Sequence, residues 1–463
     1  MALSDIQTIV FCMMENRSFD HALGWLKMDG VLDVEGLGDA AWRAKWTNSA
    51  KGKDYPLHEL SLADPIDDPP HGEEAIAAQI ALPAKGASKM GGFVQAYFDA
   101  KARNKQPAPT PEAVMGYYRA PAVPTYDFFA RHYCVCDHWF APLPLGTQAN
   151  RLMAMAGESR IADNELGLPF QRLVYDWLKG NGVKWRAYQS GGYFPFFALM
   201  DRQAFAILGS LAGNGPFRRY KRFRDDWLDD SKAIQPVVFI EPEYSDGPHS
   251  HANDDHPPTS IAGGQDFLRD LYETLIANPK RWARTLLVVT YDEHGGFFDH
   301  VEPIPVPGKA KDRTYTTTGL RVPAFLISPW VEAGSVYSKA LDHTSFLAFL
   351  AEKFTPGHGY SVAVNERQAH LSGRIADALA AAPRAGPAPS MPPVEVKGLA
   401  AASTPLAPAA APRAPDTPNA VAFDRLAAKV KRERPDLYGH PDMTDLRRYM
   451  RETPAPVPAE KDP

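Results

Sequence analysis

Two apolar runs, IQTIVFCMM from Ile6 to Met14 and TLLVVT from Thr285 to Thr290, constrain this chain more than any other feature. A strand with one wet face alternates apolar and polar residues. These runs are continuous and rich in β-branched side chains, so both faces need cover, as in a parallel sheet held between helices. Val183 to Tyr188, Gln235 to Ile240 and Val322 to Pro329 read as further strands. Between them the spacing predicts a helix from Phe19 to Leu26 capped by Ser18, one near Gly92 to Arg103, one starting near Thr147, and an amphipathic one from Asp342 to Phe354 capped by Asp342 or Thr344. Strands alternating with helices over some 350 residues predict an α/β fold with a doubly wound, mostly parallel sheet.

Residues 1–379 read as one α/β body. Composition shifts to Ala and Pro over 380–419, which predicts an extended linker, and 420–463 reads as a helical segment with a tail. The whole chain has 463 residues, of which 44% are hydrophobic, enough for a large core. Its 50 basic and 55 acidic residues leave a net charge of -5, which carries no global footprint for nucleic acid. No run of about 18 apolar residues exists, and the N-terminus lacks the basic and apolar regions of a signal peptide. The expectation is a cytoplasmic protein whose contact with a membrane surface is at most transient. Cys12, Cys134 and Cys136 are too few for a disulfide framework and read as small buried hydrophobes.

Both defining strands discharge into polar residues: the first into Glu15 and Asn16, the second into Asp292 and Glu293. Ligands of open parallel sheets bind outside the carboxyl ends of the strands. If the two strands lie centrally, three carboxylates and an amide carbonyl meet at one spot, a donor set for one hard divalent cation: Ca²⁺, Mg²⁺ or Mn²⁺, with Zn²⁺ also open. Each pair alone reads as a cap or turn. Together, unpaired acidic clusters at neighbouring strand ends repel unless a cation sits between them.

In LPLGTQANRLM, Thr147 follows a glycine at a helix start, where a nucleophilic hydroxyl or a bound phosphate is stabilised by free amide groups; a plain N-cap threonine is the competing reading. His256 lies against Asp254 and Asp255 in SHANDDHPPTS, a solvated turn or a ligand site. His343 in Asp342-His343-Thr344 is equally ambiguous. The aromatic GGYFPFFALM, Gly191 to Met200, reads either as core or as a pocket mouth for an acyl group. No G-x-S-x-G elbow is present, Gly86-Ala87-Ser88-Lys89-Met90 being the nearest approach, and neither a P-loop nor G-x-G-x-x-G follows a strand. Serine hydrolase and nucleotide-binding readings are disfavoured.

The segments ENRSFDHALG, GTQANR, NDDHP, TYDEHGGFFDHV and RVPAFLISPWV with its following DHTS resemble the successive signatures of the bacterial and plant phosphoesterase family. That family includes non-specific and phosphatidylcholine-hydrolysing phospholipases C and bacterial acid phosphatases. The resemblance spans roughly residues 6 to 355 and implies an alkaline-phosphatase-like core. It implies metal ligands at Glu15, Asn16, Asp292 and Glu293, a hydroxyl nucleophile at Thr147 that forms a phosphothreonine intermediate, and phosphate-contacting histidines at His256 and His343. In that scheme Asn150 and His256 hold non-bridging oxygens and His343 protonates the leaving alkoxide. His138 is a further candidate for phosphate contact, with a core histidine as its alternative. Arg151 and Asp299 are expected to fix loops, while His294 and His300 receive no role. The implied substrate is a phospholipid diester, with phosphomonoesters as the alternative and a non-catalytic cation-binding protein as the distant one.

Overall fold

The two runs that demanded cover on both faces form the centre of an eight-stranded sheet. In chain order its strands are β1 (Thr8–Met14), β2 (Cys134–Val135), β3 (Trp185–Gln189), β4 (Phe217–Arg219), β5 (Val237–Glu241), β6 (Thr285–Tyr291), β7 (Ala324–Ile327) and β8 (Ser335–Val336). Their spatial order is β4-β3-β5-β1-β6-β7-β2-β8. This is a computed structural model describing residues 2–190, 195–200, 204–213, 215–244, 252–393 and 418–436.

β1 and β6 pair in parallel from Thr8 with Thr285 to Met14 with Tyr291, and every residue of both is buried. Successive side chains of β1 point to opposite faces. Phe11 stacks on Phe346 of the helix His343–Phe354 at 4.1 Å between centroids. Phe325, in register with Val289 and through it with Cys12, meets Tyr126 and Phe129 of the helix Pro124–His132 on the other face. Helices therefore cover both sides, as the continuous apolar runs require.

β7 departs from the parallel pattern and runs antiparallel to both β6 and β2. A parallel return needs a crossover to the opposite end of the sheet, usually through a helix. Residues 292–323 make no such crossover; they stay at the carboxyl end of β6 and turn back into β7, which leaves a long polar loop at the strand ends. Residues 30–110, where the sequence predicts only the helix near Gly92 to Arg103, carry the helices Ala40–Lys45 and Glu73–Ala81 as well as Phe93–Arg103, around a second apolar cluster that includes Leu37, Ile76, Phe93 and Tyr97. The alanine-rich Glu73–Ala81 shows no clear apolar stripe, so periodicity does not reveal it.

The Pro/Ala-rich stretch is bound to the body at its start: Ala380 N–H donates to Trp330 O at 2.7 Å, and Pro389 O accepts from Tyr272 Oη at 2.5 Å. Residues 394–417 lie outside the described residues, as does the helix expected near 442–450. The helix Pro418–Glu433 buries Phe423, which stacks on Tyr244 at 5.9 Å. Among the described residues, no helix is long and apolar enough to cross a membrane. All three cysteines are buried and free.

One charged cluster ties the loop after β1 to the loop after β6. Asp20 Oδ1 lies 3.2 Å from Arg321 Nη2 and its Oδ2 lies 2.6 Å from His300 Nδ1, while Asp299 Oδ1 lies 3.0 Å from Arg321 Nε. Asp20, Asp299 and His300 have the makeup of a metal-ligand group, but Arg321 already supplies the positive charge there. Burial works to discharge His300, yet Asp20 carries its pKa up to about 9 from 6.5. With the folded value above the unfolded one, this stabilisation is complete below pH 6.5 and fades as pH rises through about 9. His300→Gln is expected to flatten the alkaline fall in stability, worth ~3 kcal/mol by linkage, as read from urea midpoints between pH 6 and 10. An unchanged alkaline limb in the variant is the contrary result.

Candidate active site

The register that sets Met14 beside Tyr291 brings Glu15 and Asp292 out of the sheet as neighbours. Asn16 follows in the left-handed region, φ 61°, which Asn tolerates better than most residues. There its N–H donates to Asp292 Oδ1 at 3.0 Å, and that oxygen also accepts from Glu293 N–H at 2.7 Å. Gly295 makes the close passage possible, because a Cβ at that position would sit 2.0 Å from Asn16 O. A third loop arrives when Glu15 N–H donates to Asp254 O at 2.7 Å.

Thr147 opens the helix Thr147–Ala156, but the N-cap is Gly146, which has no side chain to cap with. The plain N-cap reading of Thr147 therefore does not describe its hydroxyl. Thr147 is fully buried, and its Oγ1 donates to Asn16 Oδ1 at 3.2 Å. This bond joins the helix start to the end of β1.

Glu15, Asp254, Asp255, Asp292 and Glu293 are all buried around this point. Arg151 enters from the Thr147 helix, with Nη2 3.0 Å from Glu15 Oε1 and Nε 3.3 Å from Asp292 Oδ2. It also donates to the carbonyls of Met13 and Met14, so it does hold the strand end as expected of a loop-fixing residue, and it pairs with two of the four candidate ligands besides. Burial pushes Asp292 up to about 7 against the pull of Arg151. Burial likewise raises Glu15, with Glu293 adding to the effect, and raises Asp254 far more, with Glu15 adding. Glu293 goes the other way: burial is outweighed by His71 and His294. Glu293 Oε1 and Asp254 Oδ2 are buried without a hydrogen-bond partner, and Glu15 Oε1 has only its ion pair with Arg151. Orphaned carboxylate oxygens of this kind are costly unless a cation takes them up. Glu15, Asn16, Asp292 and Glu293 therefore fit a hard divalent ion by donor type and by charge.

Two histidines flank the cluster. His71 Nε2 lies 3.4 Å from Asn16 Nδ2 and 4.0 Å from Glu293 Oε1, and its Nδ1 donates to Pro69 O at 2.8 Å. Burial alone would discharge it, but Glu293 and Asp68 carry its pKa up to about 9. His256 faces it with ring centroids 5.9 Å apart; its Nδ1 is held by Pro257 O at 2.5 Å. Asp68, His71 and His256 bring ligand-type atoms within 4.8 Å of one another. Behind them Asp255, at φ 75°, accepts from Tyr291 Oη at 2.5 Å and Tyr126 Oη at 2.9 Å, which fixes the loop carrying Asp254 and His256.

Three expected roles are corrected by the hydrogen bonds. Asn150 does not face a phosphate: its Nδ2 donates to the carbonyls of Leu143, Leu145 and Gly146, and its Oδ1 accepts from Leu143 N–H at 2.9 Å. It shapes the loop in front of Thr147. Asn150→Ala is expected to cost about 2–3 kcal/mol by stranding those buried groups and to lower kcat through a displaced Thr147; an unchanged denaturation midpoint would contradict this. His343 has both ring nitrogens engaged, Nδ1 accepting from Trp139 Nε1 at 3.0 Å and Nε2 donating to Asp292 O at 2.7 Å. Burial brings its pKa down to about 4, so it is a neutral prop for Asp292 rather than a leaving-group acid. His138 places its Nε2 2.7 Å from Glu35, on the side of His300 and Arg321. Of the aromatic stretch, residues 191–194 lie outside the described residues; Phe196–Leu199 are core, with the Phe196 ring 4.9 Å from the Arg151 guanidinium.

Sequence reasoning passed over His71, which stands in DDPPHGEE, a stretch that reads as loop punctuation. Its one signal is a histidine set among acids and prolines; nothing in the spacing ties it to Asn16.

Residues 6–355 match the sequence model of the Phosphoesterase family. The chain is 35% identical over 355 residues to non-specific phospholipase C1 of Arabidopsis thaliana, covering 72% of this chain and 62% of that one. With non-specific phospholipase C6 of the same plant it shares 32% identity over 359 residues, 73% of this chain and 64% of the relative. With the non-hemolytic phospholipase C of Pseudomonas aeruginosa it shares 28% over 410 residues, 76% and 54%. The chain thus spans a little under two thirds of the length of these plant relatives. A protein of the alkaline phosphatase superfamily from Vibrio parahaemolyticus aligns over 50% of this chain and 60% of its own at 13% identity and a TM-score of 0.31; at that distance the fold is read from the sheet itself.

Proposed function

The chain belongs to the phosphoesterase family, and on that premise we propose that its Thr147 centre hydrolyses phosphoric esters, phospholipid diesters of the phospholipase C type first among them. One observation carries the reading: a buried hydroxyl at a helix start lies 3.2 Å from Asn16 Oδ1, beside carboxylate oxygens that lack partners. The names of the relatives support the substrate class.

Glu15, Asn16, Asp292 and Glu293 would hold a divalent cation, which when bound neutralises phosphate charge and favours the alkoxide of a nearby hydroxyl. Asn16 orients Thr147 Oγ1 for in-line attack on phosphorus. The new P–Oγ1 bond replaces the bond to the leaving alcohol, which departs with a proton, and water then cleaves the phosphothreonine and restores the hydroxyl. His71, whose pKa Glu293 and Asp68 carry up to about 9 against burial, would face the non-bridging oxygens together with His256 and supply the proton to the leaving alkoxide. Arg151 opposes the rise that burial imposes on the pKa values of Glu15 and Asp292 and aims both carboxylates, and His343 holds the backbone of Asp292.

The test is turnover of p-nitrophenylphosphorylcholine against p-nitrophenyl phosphate across pH, before and after chelation. Preference for the diester supports the reading. Preference for the monoester makes the protein an acid phosphatase built on the same nucleophile, and no metal-dependent turnover of either leaves a cation-binding protein.

A further inference from the structure

FRRYKRFR, Phe217 to Arg224, places five cations in eight residues of a chain whose net charge is -5, and the Thr147 centre uses none of them. The stretch forms edge strand β4 and the turn into the helix Phe223–Leu228. On β3, Arg186 and Tyr188 share a face, and Tyr188 is in register with Arg218. A cleft of about 530 Å³ opens there, lined by Arg186, Arg218, Arg222, Lys232, Asp225 and Asp226. Arg186 lies in register with Val238 and hence with Val10, five residues before Glu15 and two strands away from β1. That separates the cleft from the Thr147 centre by roughly 20 Å.

Among the described residues, the cations that line this cleft outnumber the carboxylates. Asp226 accepts from Tyr188 Oη at 2.9 Å and Arg218 Nη1 at 2.6 Å, stands 3.6 Å from Arg186 Nη1, and takes Lys232 Nζ at 3.3 Å on its other oxygen. One carboxylate thus serves three cations. Asp229 meets Lys232 at 3.5 Å, and Asp225 lines the cleft with Arg222. The side chains of Arg186 and Arg218 are only 17% and 16% exposed, and the Nε of each is buried without a hydrogen-bond partner. Partly buried guanidinium groups that share one counter-charge repel each other, and an anion between them relieves both the repulsion and the missing hydrogen bonds. Guanidinium forks match the oxygens of a phosphate, and a lysine adds a point charge.

We propose that this cleft is a second anion site, separate from the Thr147 centre, which binds a phosphomonoester group either on a soluble compound or on a lipid headgroup. The chemistry is the same in both cases, and the source is decided by experiment. Equilibrium dialysis at low ionic strength compares inorganic phosphate bound per chain by the wild type and by the Arg222→Gln/Lys232→Gln double variant, which spares the Arg186–Asp226–Arg218 hub. In parallel, both proteins are sedimented, with chelator present, with phosphatidylcholine vesicles that contain or lack phosphatidic acid. The wild type is expected to bind one more phosphate than the variant, while turnover of a soluble chromogenic ester stays the same in both. If co-sedimentation rises at least fivefold with phosphatidic acid and the variant loses that rise, the site takes a lipid headgroup. If phosphate stoichiometry falls in the variant while vesicle binding is indifferent to phosphatidic acid, it takes a soluble phosphate ester. Equal phosphate stoichiometry and equal vesicle binding in the two proteins overturn the proposal.

Discussion

Thr147→Ala is expected to reduce kcat by at least about 10³-fold on any phosphoric ester the protein turns over, with little change in fold or metal content. The reason lies in how little else the hydroxyl does. Thr147 occupies the first helical position behind a glycine cap, so alanine suits its backbone, and its Oγ1 makes one hydrogen bond, to Asn16 Oδ1. Losing that bond costs about 1 kcal/mol, a shift of a few degrees in Tm at most. Thr147→Ser keeps a nucleophilic oxygen and should recover a substantial share of turnover with the same metal requirement. Retention of more than a few per cent of activity in the alanine variant, with its melting curve intact, would remove the covalent role and leave the hydroxyl as a link between β1 and the helix.

The second large effect is the loss of the cation. Exhaustive chelation is expected to abolish turnover and lower Tm, because Glu15, Asp292, Glu293 and Asp254 are buried together, with Arg151, His71 and His294 beside them as the partial offset. An ion bound at one hundred times its Kd contributes about 2.7 kcal/mol to the folded state, and its removal should also cause proton uptake by the carboxylates whose pKa values burial has raised. Re-addition of Ca²⁺, Mg²⁺, Mn²⁺ or Zn²⁺ singly then identifies the ion that restores both properties. Asp292→Asn removes one anionic ligand and half of its pairing with Arg151, and should weaken the restoring ion at least about tenfold. Calorimetric titration of the chelated proteins measures this without relying on activity. Full activity after chelation, or equal affinity in wild type and variant, would take the cation out of the scheme.

The fold was legible where local chemistry and chain direction decide the outcome. Continuous β-branched runs demand cover on both faces, and parallel neighbours must end on the same edge of the sheet; from these two facts Glu15-Asn16 and Asp292-Glu293 meet without any knowledge of what lies between them. The reversal of β7 was not legible, because it depends on where thirty loop residues travel, and neither was the helix Glu73–Ala81, whose alanine-rich pattern lacks a stripe.

For the polar side chains the division is sharper. The resemblance put forward Asn150, His256 and His343, with His138 as a further candidate, yet three of the four are committed elsewhere: to the carbonyls of residues 143, 145 and 146, to Glu35, and to Trp139 and the carbonyl of Asp292. A hydrogen bond is satisfied by whichever group the fold brings within 3 Å, and sequence spacing does not encode that distance across a hundred residues or more. Thus His71, read as part of a loop, stands next to Asn16, and Arg151 sits between two carboxylates from different strands. Which strand ends converge, and what charge they bring, follows from local chemistry and chain direction; which donors are left to meet that charge follows from the fold, since burial and partner geometry are properties of the packed chain.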